Sequence, residues 1–307
     1  MKVLVTGASG FAGSALIGRL ASDDLTIRAF GRDAARIRAA GAEPDEIVCG
    51  DAVAGTGLDE ALAGVDVAYY LIHSMETGAD SFGERERRSA ENFAAAANRA
   101  GVRRIVYLGV LAPEGHEGSA HVRSRMAVEA ALATGAPELV ALRASIAIAA
   151  RSRSFRFLVR LVERVPVMPL PSWREHRTQP VDGRDVISAL TAAGLQDDLP
   201  GHRTLDLAGP EVVTYGELIE RIRDLMLLDR PGLKLPVSMT PVASAVAAAI
   251  AGEDVGLIRP LMEGLEGDLL PSHDDAADAL GVKLHTLDAA IEHALGEWEQ
   301  VEQLAAR

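Results

Sequence analysis

The stretch KVLVTGASGFAGSALIGRL, Lys2 to Leu20, decides how the rest of the chain is read. Lys2 to Thr6 is a short apolar β run, whereas Phe11, Leu16, Ile17 and Leu20 recur at helical spacing. Between them lies Thr6-Gly-Ala-Ser-Gly-Phe-Ala-Gly13, a TGxxGxxG turn. In such a turn Gly7 makes the sharp reversal, Gly10 lets backbone N–H groups reach a pyrophosphate, and Gly13 lets the helix lie close to the strand. Ser9, Phe11 and Ala12 complete the expected cradle. Set between a strand and a helix, the turn points to a dinucleotide; the alternative is a glycine-rich turn with no ligand. No Gly-Lys-Ser/Thr follows, which excludes a Walker phosphate loop.

Outward from this turn, β-type runs alternate with helical periodicity, the mark of parallel βαβ units. Strands are expected at Thr26 to Phe30, Glu46 to Cys49, Val67 to Ile72, Arg104 to Leu108 and Leu139 to Leu142. Helices are expected at Glu84 to Ala100 and Ser119 to Ala133. The pattern predicts an α/β fold, a doubly wound parallel Rossmann sheet over residues 1–150. After Arg151 comes a basic amphipathic helix, Ser152 to Val165, and then a loop that Pro166, Pro169, Pro171 and Pro180 keep from being helical. A helix at Asp185 to Ala193 and a strand at Thr204 to Leu207 bring the chain back to the sheet at about residues 178–208. Residues 151–177 and 209–307 then form a smaller, discontinuous mixed α/β lobe for substrate. Its later helices are signalled by the capping box Thr214-Tyr-Gly-Glu217 and by a stripe of Leu287, Ala290, Ile291, Ala294, Leu295 and Trp298. Ala-rich Pro241 to Gly252 is too short for a membrane span and reads as an internal helix.

Composition narrows the partners. The net charge of −13, from 31 Lys and Arg against 44 Asp and Glu, opposes the counterion release that drives nucleic-acid binding. Neither a nucleic-acid nor a membrane partner is expected. The single cysteine, Cys49, rules out an internal disulfide, and the eight histidines form no HxxxH or HExxH pair, so no metal site is expected. With no signal-peptide pattern either, a cytoplasmic location is expected.

The end of the second strand chooses the dinucleotide. About 20 residues beyond the glycines, an acidic side chain binds the ribose 2′-OH of NAD, while an arginine accommodates the 2′-phosphate of NADP. Here the chain reads Phe30-Gly31-Arg32-Asp33, which puts Gly31 at the acidic position and a guanidinium capable of bidentate phosphate contact just after it. NADP(H) is therefore favoured over NAD(H); a strand two residues longer would give the ribose to Asp33 instead.

The TGxxGxxG start and the Gly50-Asp51 pair resemble the extended and atypical short-chain dehydrogenase/reductases. The strings Tyr69-Tyr-Leu-Ile-His-Ser-Met75, Ser119-Ala-His-Val-Arg-Ser-Arg125, Leu142-Arg-Ala-Ser145 and Gly209-Pro-Glu-Val-Val-Thr-Tyr215 resemble the NmrA-like, NAD(P)H-binding branch, grouped with nucleoside-diphosphate-sugar epimerases. The resemblance implies that Asp51, with Ala52 beside it, meets the adenine, and that Leu71, Ile72 and His73 line the nicotinamide ribose. It also exposes a departure. Active members use a Ser and a Tyr-x-x-x-Lys, and these positions read Gly109-Val110 and His121-Val-Arg-Ser-Arg125 here.

Two readings of that helix stand. Spacing of four puts His121 and Arg125 on one face, where Arg125 would clamp the ribose and His121 would serve as a hydrogen-bonding group or proton donor. Alternatively the helix only keeps cofactor contacts. Trp173, Arg174, Arg177 and Gln179 offer an aromatic face and polar groups to a small anionic or planar substrate, or else form a lid whose arginines pair with acids. The resemblance then implies three functions in order. First is an NADP(H)-dependent oxidoreductase passing hydride to or from a carbonyl, quinone or conjugated substrate without the usual triad. Second is a non-catalytic NADP(H)-binding redox sensor or assembly factor. A sugar-nucleotide epimerase comes last, because that chemistry leans on the missing tyrosine. Relatives of this kind often form homodimers through helices that match 84–100 and 119–133.

Overall fold

The structure, a computed structural model, describes residues 1–21, 24–73, 82–112, 120–164, 168–170, 172–229, 231–234, 267–273 and 275–304. In chain order the strands of the first half are β1 (Lys2–Thr6), β2 (Thr26–Gly31), β3 (Glu46–Cys49), β4 (Val67–Tyr70), β5 (Arg104–Val110) and β6 (Glu138–Ala144). They are followed by β7 (Ala147–Ile148), β8 (Met168–Leu170), β9 (Arg177–Thr178), β10 (Val181–Asp182), β11 (His202–Leu207), β12 (Val213–Thr214) and β13 (Gly232–Lys234). The helices are α1 (Phe11–Leu20), α2 (Ala34–Ala39), α3 (Leu58–Leu62), α4 (Phe82–Ala100) and α5 (Ala120–Leu132). Then come α6 (Arg153–Arg164), α7 (Gly183–Leu195), α8 (Tyr215–Leu225), α9 (Ala276–Leu280) and α10 (Leu287–Glu299).

Seven strands make one sheet in the order β11-β6-β5-β4-β1-β2-β3, every pair parallel. Strand order reverses between β1 and β4, and in a doubly wound sheet the crevice beyond the carboxyl ends at that point is where ligands sit. Alternation along β1 shows why the sheet is covered on both faces. Val3 and Val5 join Leu16, Ile17, Leu20 and Leu190 in one core. Leu4 joins Phe30, Tyr70, Phe93, Tyr107 and Leu132 in the other.

A third core joins Phe155, Phe157, Trp173, Tyr215, Ile219 and Trp298 and brings α6, α8 and α10 together. The Thr214–Glu217 capping box forms, and all six residues of the α10 stripe are buried. The basic side of α6 lies over an aromatic ring, with the Arg156 and Arg160 guanidinium carbons 4.3 and 4.9 Å from the centroid of Trp298. Ala276 and Leu280 of α9 return to the sheet's core. Small two-stranded pairs, β10 with β7, β12 with β9 and β13 with β8, trim the junction.

Several boundaries differ from those that periodicity suggests. β4 stops at Tyr70 rather than Ile72, because its register with β1 ends at Val5↔Tyr69 and the chain at Gly7 turns away beneath Leu71. β5 and β6 run to Val110 and Ala144, since each supplies the other with a ladder past Gly109↔Arg143. The helices α2 and α3 are too short to show a period in sequence. Among the described residues no helix is long and apolar enough to cross a membrane. The expected helix at 241–252 lies outside the described residues.

Candidate functional site

The glycine-rich turn is closed to side chains. Gly7 has φ +63°, and a Cβ there would lie 2.4 Å from the Leu71 carbonyl oxygen; one on Gly13 would lie 2.4 Å from the carbonyl oxygen of Gly7. The Gly10 N–H donates to Gly7 O at 2.9 Å, and α1 begins with no side chain capping it. The first N–H groups of a helix lack intrahelical acceptors, so those of Phe11, Ala12 and Gly13 are left for an anion at the carboxyl edge of β1. Thr6 fastens the two strands of the switch point, its hydroxyl donating to Tyr69 O (3.1 Å) and accepting from the Leu71 N–H (3.0 Å). Arg151 reaches across from the start of the lobe and donates to Ser14 Oγ (2.8 Å), Ala40 O (3.0 Å) and Ser9 O (3.4 Å). The cradle fits a dinucleotide pyrophosphate: it is closed by glycines and leaves backbone donors at its rim.

At the end of β2, Asp33 is the N-cap of α2, its carboxylate accepting from the N–H groups of Ala35 (2.8 Å) and Arg36 (3.3 Å). Arg32 beside it is exposed. Arg28 is structural: it pairs with Glu46 at 2.6 Å and donates to the carbonyls of Glu60, Ala61 and Ala63 that end α3. Asp51 shapes the turn after β3, accepting from the N–H groups of Val53 (2.8 Å) and Ala54 (3.3 Å), while the Asn92 amide holds the carbonyls of buried Ala52 and of Val53.

Past Tyr70 the chain runs through Leu71, Ile72 and His73 over the crevice edge, and α5 brings His121, Ser124 and Arg125 to it. The rings of His73 and His121 meet edge to face with centroids 5.5 Å apart. Beneath them lies Glu86 of α4, whose side chain is 3% exposed. Its Oε1 is 2.9 Å from His73 Nδ1 and 3.1 Å from Arg125 Nη1, and its Oε2 accepts from the Ser124 hydroxyl at 2.8 Å. Arg125 Nη1 is also 3.1 Å from His73 Nδ1, and Nη2 donates to Leu108 O at 2.9 Å. Arg125 is thus turned toward Glu86 and the sheet.

The charges of this cluster depend on one another. Burial alone would raise the Glu86 carboxyl, but the His73 hydrogen bond, the Arg125 charge and the Ser124 hydroxyl hold it at about 2, so it is a carboxylate at neutral pH. Burial and the Arg125 charge press His73 below its ordinary value, against the pull of Glu86. Burial, with His73 and Arg125 nearby, lowers His121 to about 4. Its Nδ1 is buried with no hydrogen-bond partner. Two phenols nearby are engaged elsewhere. Tyr107 donates to Arg125 O (3.2 Å) and Tyr70 to Ser89 (2.9 Å), and burial pushes both upward, Tyr70 to about 12.

Sequence reasoning passed over Glu86 because Glu84-Arg-Glu-Arg-Arg88 reads as a solvated run. The available signal was register: Glu86, Ala90, Phe93 and Ala97 fall on one helical stripe, and that stripe is buried. The loop after α6 makes contacts of its own. Trp173 is buried and meets Tyr215 edge to face at 6.4 Å. Arg174 pairs with Glu175 at 2.9 Å, Arg177 grips Asp268 through Nε (2.9 Å) and Nη2 (2.7 Å), and the Gln179 amide donates to Gly209 O at 2.6 Å. Both arginines are paired with acids. Among the described residues no group of three His, Cys, Asp or Glu is set to hold a metal ion.

A family model described as NAD(P)H-binding matches residues 7–146. That stretch is similar to NAD(P)H-binding domains. Over 189 residues the chain is 29% identical to mitochondrial NADH dehydrogenase (ubiquinone) 1 alpha subcomplex subunit 9 of Arabidopsis thaliana, covering 61% of this chain and 46% of that protein. The chain therefore spans about half the length of that relative. Among solved structures, an NADPH-dependent quinone oxidoreductase from Escherichia coli is similar with TM-score 0.76 and 21% identity, over 96% of this chain and 100% of that one. A UDP-glucuronic acid 4-epimerase from Bacillus cereus is similar with TM-score 0.73 and 16% identity, over 98% and 100%. At these identities the likeness shows the shared Rossmann fold, and fold alone specifies no chemistry.

Proposed function

We propose that this protein is an NADP(H)-dependent oxidoreductase of the atypical short-chain type, moving hydride to or from a small carbonyl, quinone or conjugated substrate without a Ser-Tyr-Lys triad. The observation that carries the reading is the His73, His121 and Arg125 cluster at the carboxyl ends of β4 and β5, beside a cradle closed by Gly7 and Gly13. The nicotinamide supplies or accepts the hydride. Backbone N–H groups of Phe11, Ala12 and Gly13 bind the pyrophosphate, in a cradle shaped by Gly7, Ser9 and Gly10. Arg32 takes the 2′-phosphate, a role supported by the commitment of the Asp33 carboxylate to α2. Asp51 and Ala52 bound the adenine, and Leu71, Ile72 and His73 the nicotinamide ribose. His121, neutral at pH 7, offers a hydrogen bond near the reacting atom, and Arg125 supplies positive potential from below. Substrate enters beside the loop of Trp173, Arg174, Arg177 and Gln179, and the single cysteine suits a reducing, cytoplasmic setting.

A second reading, a non-catalytic NADP(H)-binding sensor or assembly partner, is favoured by the relative that is named as a subunit of a larger enzyme and by the absent serine and tyrosine. Titration with NADPH and NADH, followed by absorbance at the reduced-nicotinamide band with quinones, enones and aldehydes, separates the two. The oxidoreductase reading expects NADPH to bind at least ~10-fold more tightly than NADH and at least one acceptor class to be reduced. Tight NADPH binding with no acceptor reduced, by wild type or His121→Ala alike, supports the sensor.

A further inference from the structure

We propose that Glu86 and His73 form a carboxylate–imidazole dyad that exchanges the reaction's proton, with His73 as the catalytic residue through Nε2 and Glu86 as its positioning residue. The proposal rests on the oxidoreductase reading above and replaces the missing tyrosine with a group that the short-chain motif does not contain.

A buried carboxylate must have its oxygens satisfied. Three donors converge on Glu86: the Ser124 hydroxyl on Oε2, and Arg125 Nη1 with His73 Nδ1 on Oε1. A carboxylate only accepts, so the ring nitrogen 2.9 Å from it carries the hydrogen; a lone pair there would face an anion. Arg125 Nη1 is 3.1 Å from both Nδ1 and Oε1, and the anionic oxygen is the stronger acceptor of its hydrogen. With its proton fixed on Nδ1, neutral His73 carries its lone pair on Nε2, at the ring edge away from Glu86. His73 keeps about a third of its side chain exposed (35%), whereas Nδ1 of His121 is sealed in. His73 also stands just past β4, at the point where strand order reverses and the crevice opens.

The step balances in both directions. When an alcohol is oxidised, its C–H hydride leaves to the oxidised nicotinamide, the C=O bond forms, and the O–H proton passes to Nε2. The resulting imidazolium is held by Glu86 and then gives its proton to water. Carbonyl reduction runs in reverse, consuming one hydride from the reduced nicotinamide and one proton from His73.

Among the described residues, the charged and titratable groups that face His73 come from three helices: Glu86 of α4, His121 and Arg125 of α5, and Arg153 of α6. Arg125 and Arg153 oppose the imidazolium, so the proton is passed on rather than stored. Reduction is accordingly expected to slow as pH rises through the His73 value, and oxidation to quicken.

The test begins with the wild-type protein, labelled with 15N-histidine and read by two-bond 1H–15N correlation, with His73 assigned by comparison with His73→Gln. The expected result near pH 7.5 is a neutral ring protonated on Nδ1; protonation on Nε2, or an imidazolium, overturns the dyad with or without cofactor. In Glu86→Gln the Nδ1 preference should weaken. Should that variant not fold, the wild-type spectrum and His73→Gln still decide the matter. With NADPH and either menadione or 4-nitrobenzaldehyde as acceptor, His73→Gln should lower kcat ~100-fold or more at saturating NADPH. Unchanged kcat in His73→Gln with an active wild type removes the dyad alone. A wild type that binds NADPH and reduces neither probe removes the oxidoreductase reading and the dyad with it.

Discussion

Arg32 and Asp33 are neighbours with separable jobs, and their separation gives a sharp expectation. The Asp33 carboxylate serves the N–H groups of Ala35 and Arg36, so Asp33→Ala should cost about 1 kcal/mol of stability through the lost cap and leave the NADPH to NADH preference intact. Arg32→Ala should do the opposite, cutting NADPH affinity roughly 10-fold or more with little effect on NADH or on unfolding, since a phosphate loses a charge-assisted partner. Fluorescence titration with both nucleotides and urea unfolding of both variants would show a crossed pattern. An Asp33→Ala protein that turned toward NADPH would instead return the ribose to that carboxylate. At this scale sequence carried the glycines well, because a tight turn and a close helix admit only one residue type. It could not carry Glu86, because a carboxylate in a run of arginines looks alike whether it faces water or a converging set of donors.

Elements show the same divide between local and tertiary information. The long helices α4, α5, α7 and α10 and the starts of β1 to β5 were legible from period and caps, while the ends of β4, β5 and β6 and the start of β11 were not, since a ladder runs as far as its neighbour runs. The packing of α1 on β1 yields a prediction of its own. In Gly13→Ala the new Cβ would meet the Gly7 carbonyl oxygen at 2.4 Å and Ala8 Cα at 2.8 Å, so α1 must shift away from the turn. NADPH affinity should fall at least ~10-fold, and stability by about 1–3 kcal/mol as expected for overpacking. Gly18→Ala on the same helix meets nothing within 4 Å and should be neutral or slightly stabilising. Equal losses in the two variants would mean that helix propensity, and not the cradle, governs the effect. Arg104, fully buried between Glu138 and the Ala193 and Gln196 carbonyls at the end of α7, plays a comparable part at the far end of β5. Arg104→Ala should cost about 1–3 kcal/mol for each buried carbonyl it orphans, Glu138 keeping Arg103 at 3.0 Å, read as a lowered urea midpoint.

For the molecule as a whole, the cluster over the crevice ties cofactor site to stability. Glu86 and His121 both have lower values folded than unfolded, so the unfolded chain binds more protons and stability rises with pH across their windows. His121 moves from 6.5 to about 4: its contribution is complete above pH 6.5 and is lost as pH falls toward 4. Glu86 moves from 4.5 to about 2, and its contribution is lost over that lower range. Each proton taken up on unfolding adds at most about 1.4 kcal/mol per pH unit to the slope. Urea midpoints at pH 7.5, 5.5 and 4.5 should therefore decline, and His121→Gln should lessen the decline above pH 4.5, leaving the share that His73, also lowered by burial and Arg125, contributes there and the fall expected below it from Glu86. NADPH at about 100 times its Kd should raise wild-type stability by roughly 2.7 kcal/mol at pH 7.5 if it binds only the folded chain. A midpoint that stayed level from pH 7.5 to 4.5 would show that His121 titrates alike in both states, and the ring would then have to be exposed rather than packed between His73 and Arg125.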